Sequence, residues 1–245
     1  MQIESRRATT FPDARFAERV LHLRVTESVV DLASAPCSAG CRLPVGWEGL
    51  IAHSDALQVS GGSVQVLPIS EALLVKLQVF IDLSDALIDQ RPRQAPWAAL
   101  PVAYPTIQSE RALERWYLEQ AMASGLAYQA FAGVLRRTES YGLVHFLLEQ
   151  GTHSEKLTIL AQRYGVSVSH FRRLCRQALG TAAKPALRGW RTAQALLNMS
   201  LQEGSLTDVA LEFGFASSSH FSKEIRELVG FTPSSLADIT YLPGK

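Results

Sequence analysis

Along the last third of the chain the apolar positions recur at helical spacing, stop at a glycine and begin again, and this happens twice. The first copy reads Leu157, Leu160, Ala161, Tyr164, then Gly165, Ser167 and the run Ser169-His170-Phe171-Arg172-Arg173-Leu174. The second reads Leu206, Val209, Ala210, Phe213, then Gly214, Ser217 and the run Ser219-His220-Phe221-Ser222-Lys223. A glycine suits the break because a left-handed backbone costs it nothing. A serine after it can accept a hydrogen bond from an amide that the next helix leaves without a partner. The pattern predicts two helix-turn-helix units in series. Between them Pro185, Ala186, Trp190, Ala193, Leu196 and Leu197 continue an apolar stripe and predict one linker helix.

Earlier in the chain the pattern is mixed. Phe16 to Ala33 carries both helical and extended signals, and Ser34 to Gly46, rich in Pro, Gly, Ser and Cys, reads as loop. Short apolar runs between Trp47 and Leu67 flank Gly61-Gly62 and predict two strands about a glycine turn, a hairpin or small β portion. A helix is predicted from Glu71 through Leu87, a proline-containing loop from Gln90 to Pro105, then helices over Ala112 to Met122, Tyr128 to Arg137 and Tyr141 to Gln150. Arg136, Arg137 and Glu139 mark a helix-helix corner. Residues 1 to about 15 are polar and read as loose. The expected fold is mainly α: an N-terminal α-rich regulatory and partner-binding domain with a small β portion, 1–150, and a C-terminal domain with tandem helix-turn-helix units joined by a linker helix, 151–245.

In the second helix of the first copy, Phe171, Leu174, Cys175 and Ala178 share one face and should pack inward. The opposite face carries Ser169, Arg172, Arg173 and Arg176, with His170 at the edge. From Ser167 to Gly180 there is no Asp or Glu, whereas a merely solvated helix interleaves acids. Arginine can donate two hydrogen bonds to guanine in a major groove, and hydroxyls can approach base edges or phosphates. The second copy offers Ser218, Ser219, Ser222 and Lys223, together with Glu224 and Glu227, which repel phosphate if they face it. The first unit is therefore expected to supply more base readout and the second more positioning. A linker of about fifteen residues spans roughly 22 Å, so the two reading helices could reach major grooves roughly 34 Å apart. Whether Arg188 and Arg191 on the linker face the core or the phosphates is left open.

Charge distribution agrees in direction. The net charge is +1, but from His153 onward 11 Lys and Arg stand against 7 Asp and Glu, so the basic surplus of 4 lies on the segment proposed to meet DNA. With 47% apolar residues and no run long enough to span a bilayer, a soluble globular protein is expected. Met1 to Arg15 shows no secretory signal, so a cytoplasmic location is expected, without membrane contact.

Ser154 to Leu236 resembles the DNA-binding domain of AraC-family transcription regulators, including Gly214-Phe215, the Ser-His-Phe run and the closing Gly230-Phe231-Thr232-Pro233. Cys175 and Ile225 stand where the family usually has phenylalanine, thinning the core without touching the reading face. Gly62 to Gln150, especially Leu135-Arg136-Arg137-Thr138-Glu139-Ser140-Tyr141, together with Leu187-Arg188-Gly189-Trp190-Arg191, resembles the InvF subgroup, regulators of bacterial type III secretion. That resemblance implies activation of secretion genes on promoter DNA, with RNA polymerase and with a secretion chaperone as co-activator. A homodimer is compatible with it. Trp116, Tyr117 and Leu118 are the candidate partner-binding residues, against the simpler reading that they belong to the core.

Nothing points to catalysis. There is no nucleophile elbow, no phosphate-cradling loop and no dinucleotide fingerprint, and Gly61-Gly62 lacks the residues that would complete one. His22, His53, His145 and His153 are dispersed. Cys37 and Cys41 lack two further ligands for a zinc site and read as reduced thiols, as does Cys175. No cofactor and no metal are expected. Two rivals remain: a small-molecule-responsive regulator of the broader family, which needs a β-barrel of many strands, and a protein-interaction adaptor without DNA binding.

Overall fold

In a computed structural model, residues 14–15, 19–34, 37–54, 57–84, 95–150, 155–201, 205–233 and 235 are described. The expectation for residues 1–13 lies outside them. By packing, the chain divides into two compact units, 1–142 and 143–245.

The first unit opens with strands β1 (Ala14–Arg15), β2 (Val20–Val25), β3 (Val30–Ser34), β4 (Cys37–Leu43), β5 (Glu48–His53), β6 (Leu57–Ser60) and β7 (Val64–Pro68). After helix α1 (Glu71–Ser84) comes β8 (Trp97–Pro101). The strands form two antiparallel four-stranded sheets, ordered β1-β6-β3-β4 and β7-β2-β5-β8. Alternate residues from both sheets, among them Leu21, Leu23, Leu32, Ile51, Leu57 and Val59, meet in one buried core, as period-two side-chain alternation requires.

Three expectations change here. The strands on either side of Gly61-Gly62 exist, but they are not a hairpin: β6 pairs with β1 and β3, whereas β7 pairs with β2. The glycine pair takes the chain from one sheet to the other. A Cβ on Gly62 would lie 2.5 Å from the Ser28 carbonyl oxygen at a φ of +63°, so only glycine fits. The stretch 34–46, expected as loop, contains β4. It is an edge strand, and its ladder with β3 (Val30↔Leu43, Leu32↔Cys41) uses backbone groups that side-chain propensity does not report. Likewise 97–101, expected as loop, is the edge strand β8 on β5, a position that tolerates proline. The scarcity of strands therefore no longer counts against a sensor domain.

The helices of this unit follow the expected order, with one short helix, Tyr104–Ile107, added where no helix was expected. They are α1, α2 (Tyr104–Ile107), α3 (Glu110–Ala123), α4 (Leu126–Leu135) and the start of α5 (Glu139–Gln150). One buried polar network joins them. The Tyr117 and Tyr128 hydroxyls both donate to Gln78 Oε1, at 2.7 and 2.9 Å, and Gln78 Nε2 donates to Asp82 at 2.8 Å. Arg136, at the predicted helix corner, donates twice to Asp82, at 2.8 and 2.7 Å, and Tyr141 donates to it at 2.7 Å. Burial alone would raise the Asp82 carboxyl, but the Arg136 and Tyr141 hydrogen bonds outweigh it and hold the group below its ordinary value.

Tyr117 must accordingly be withdrawn from the partner-binding candidates. Its side chain is fully buried and its hydroxyl is committed to Gln78. Trp116 is half-buried and Leu118 exposed on the same helix.

The second unit comprises the rest of α5 and helices α6 (Leu157–Tyr164), α7 (Val168–Leu179), α8 (Ala183–Leu201), α9 (Leu206–Glu212) and α10 (Ser218–Val229). Among the described residues no helix is long and apolar enough to cross a membrane.

Candidate nucleic-acid interface

Each reading helix is set by its turn. In the first, the Gly165 backbone is left-handed at φ 80°, its amide donating to Gln162 O at 3.1 Å, and the Ser167 hydroxyl accepts from the His170 amide at 3.3 Å. In the second, Gly214 is left-handed at φ 71°, and Ser217 accepts from the His220 amide at 3.1 Å. Both caps are those the serines predict. Gly180 and Gly230 close the two reading helices in the same left-handed state. The second turn has one extra residue: Gly165 and Ser167 are two apart, Gly214 and Ser217 three. Phe215, in that longer turn, is buried, its ring centroid 4.7 Å from that of Phe221.

On α7 the inward face is Phe171, Leu174, Cys175, Ala178 and Leu179, all buried. Phe171 meets Tyr164 of α6 at 5.7 Å and Phe146 of α5 at 6.3 Å between ring centroids. Burial pushes the Cys175 thiol up to about 11, which keeps it protonated and unreactive near neutral pH. Ser169, Arg172, Arg173 and Arg176 are exposed on the other face and, with Gln177, line one shallow depression. None of the three guanidinium groups meets a carboxylate in the described residues. His170 is half-buried at the margin, as its place beside Phe171 implies.

On α10 the predicted residues separate into two pairs. Ser219 and Lys223 are exposed. Ser218 and Ser222 are half-buried, and the Ser222 hydroxyl donates to the Ser218 carbonyl at 2.8 Å. Lys223 lies 4.0 Å from Glu227, an exposed pair worth little. Glu224 points inward: it is 7% exposed, with Arg188 Nε 3.1 Å from one carboxylate oxygen and His220 Nε2 3.4 Å from the other. The carboxylate that could have repelled DNA therefore belongs to the core rim.

The open question about the linker arginines is answered by the same contacts. Arg188 pairs with Glu224 and, at 3.9 Å, with Glu227, while the Arg191 guanidinium stands 4.9 Å over the Phe215 ring. Burial lowers the Arg191 guanidinium from its ordinary value.

One exposed cation was missed from sequence. Arg226 lies fifty residues after Arg176, as Ser219 lies fifty after Ser169, and it occupies the same helical position. It is exposed and carries no salt bridge among the described residues, and no acid stands three or four positions from it. Extending the register of the two Ser-His-Phe runs by two turns would have found it.

Residues 160–238 match a family model described as a helix-turn-helix domain. The chain is 38% identical to the invasion protein InvF of Salmonella typhimurium over 185 residues, 75% of this chain and 86% of that one. It is 37% identical to the transcriptional regulator MxiE of Shigella flexneri over 139 residues, 56% of this chain and 66% of that one. Among solved structures it is similar to ToxT of Vibrio cholerae, at 14% identity and a TM-score of 0.40, over 96% of both chains.

Proposed function

Since the chain belongs to the AraC family of transcription regulators, in the group that controls type III secretion genes, we propose that it activates such genes by sequence-specific binding of its two reading helices to promoter DNA. The observation that carries this reading is the exposed, acid-free face of α7, where Ser169, Arg172, Arg173 and Arg176 stand without a salt bridge among the described residues while Phe171, Leu174, Cys175, Ala178 and Leu179 are turned inward. Arginine in a major groove can make bidentate bonds to guanine, and on α10 Ser219 can approach a base edge while Lys223 and Arg226 supply contacts to phosphate. Both reading helices pack on α8, whose 19 residues extend about 28 Å at about 1.5 Å per residue. This stiff spacer supports engagement of two successive major-groove segments.

Binding would be dominated by phosphate charge and would weaken as salt rises. The test is fluorescence anisotropy on duplexes selected from a random pool by the full-length chain. A selected sequence bound far more tightly than its scrambled version supports the reading, and equal affinity for both refutes it.

A secretion chaperone is the proposed co-activator, as the relationship to InvF suggests. Trp116 and Leu118 on α3 are the surface offered to it. RNA polymerase and a second copy of the chain are further proposed partners, and the cytoplasm is the proposed location. Co-purification with candidate chaperones, then DNA binding with and without them, tests the co-activator.

The two four-stranded sheets of the first unit favour one alternative, a small-molecule-responsive regulator. Its mark would be DNA affinity that changes with a metabolite and not with a chaperone.

A further inference from the structure

Glu224 stands at the position of α10 that Leu174 occupies in α7, fifty residues earlier and likewise buried. A buried carboxylate is costly unless it is paired, so its presence calls for a physical reason. Its two oxygens tie together two elements. One meets Arg188 of the linker helix at 3.1 Å, and the other meets His220, in the first turn of the reading helix, at 3.4 Å. The His220 ring also stands edge-on to Phe215 at 5.8 Å, and its amide donates to the capping Ser217. The carboxylate thus fastens the start of α10 to α8 in one rotation.

In the first helix-turn-helix the matching position, Leu174, is apolar, and Phe171 is packed by Tyr164 and by Phe146 of α5. In the second, the end of α8 takes the place of α5, with Leu196, fifty residues after Phe146, packed against the cluster that holds Phe221, and Glu224 adds a charged clasp to that apolar contact. Apolar contact is non-directional, whereas a paired carboxylate has fixed geometry. A helix held to α8 and α9 by apolar contact can turn about its axis unless something directional stops it.

We propose that Glu224, through Arg188 and His220, is a positioning residue that sets the rotation of the second reading helix and so decides whether Ser219, Lys223 and Arg226 face DNA together. This rests on the DNA-reading function proposed above, and adds that half of the recognition depends on a side chain that never touches DNA.

The experiment uses full-length protein and two duplexes: one selected from a random pool by the wild-type chain, and the same duplex with the segment footprinted by α10 scrambled. The variants are Glu224→Leu, which installs the residue of the first helix-turn-helix, Glu224→Gln, Glu224→Arg alone, and the charge-swapped pair Arg188→Glu with Glu224→Arg. Thermal melting is recorded for each.

Glu224→Leu is expected to melt near the wild-type temperature but to bind the selected duplex roughly tenfold more weakly, with a smaller loss on the scrambled duplex, so that discrimination between the two falls. Glu224→Gln should lie between, and the charge-swapped pair should recover most of the discrimination. Should Glu224→Leu fail to fold, Glu224→Gln and the swapped pair carry the test. Discrimination equal to wild type in Glu224→Gln or Glu224→Leu overturns the proposal. So does an equal loss on both duplexes, or a swapped pair no better than Glu224→Arg alone. If the wild-type chain selects no duplex at all, the DNA-reading function itself falls and takes this proposal with it.

Discussion

Phe171 and Phe221 sit fifty residues apart at the same position of two helix-turn-helix units, and both are fully buried. Phe171 lies in an aromatic cluster with Tyr164 and Phe146. Phe221 lies against Phe215, whose ring has the linker residue Arg191 over it, and buried Glu224 follows one turn later on the same helix. Their outward faces differ too: three arginines without a salt bridge among the described residues on α7, against Ser219, Lys223 and Arg226 on α10. The same helix-turn-helix plan thus presents one face rich in guanidinium groups, proposed for base edges, and another proposed mainly for phosphate.

The strongest way to break this comparison is through the cores. Phe171→Ala and Phe221→Ala should each destabilise by about 3–5 kcal/mol, measured by chemical denaturation. Phe146→Ala should loosen the first helix-turn-helix, seen in amide exchange of α7, and leave α10 of the second untouched. Equal disturbance of both helix-turn-helix motifs would show that they do not have separate cores.

Next in size is base readout. Arg173→Ala should weaken binding to a selected duplex by about 1–3 kcal/mol and relax preference at one base pair. Lys223→Ala should weaken all sequences alike. Unchanged preference in Arg173→Ala, measured by competition against single-base variants, would remove α7 as the base-reading helix.

Smaller again are the caps. Ser167→Ala and Ser217→Ala should each cost about 1 kcal/mol of stability, visible in the melting temperature, because each leaves the third amide of a reading helix without its acceptor.

The subtlest prediction concerns Arg226. Arg226→Ala should reduce the slope of log affinity against log salt by about 1, with base preference preserved. An unaltered slope would return Arg226 to the solvent.

Much of this site was legible before any coordinates. Gly165, Gly214, Ser167 and Ser217 announce their turns because a left-handed glycine and a capping hydroxyl act within one turn of chain. The arginine face of α7 is legible from helical period alone. Glu224 was not: its spacing allows either an outward or an inward carboxylate, and the choice depends on Arg188, 36 residues away. Tyr117 was misplaced for the same reason, since its hydroxyl is satisfied by Gln78, 39 residues away. β8, Trp97–Pro101, has no polar position to alternate with its apolar ones, and in β4 the alternation of Cys37, Ala39, Cys41 and Leu43 is hidden by intervening Ser and Gly that equally suit a loop; backbone pairing with β5 and β3 decides both.

By itself the sequence determined where helices start and stop in the second unit, which residues lie on the same face and which face is cationic. Those features follow from bonds and packing between residues a few positions apart. Only the tertiary structure decided which sheet each strand joins, which acids meet linker arginines and which aromatics are buried. These depend on partners brought close by folding, and a local pattern that fits two such partners equally well cannot distinguish between them.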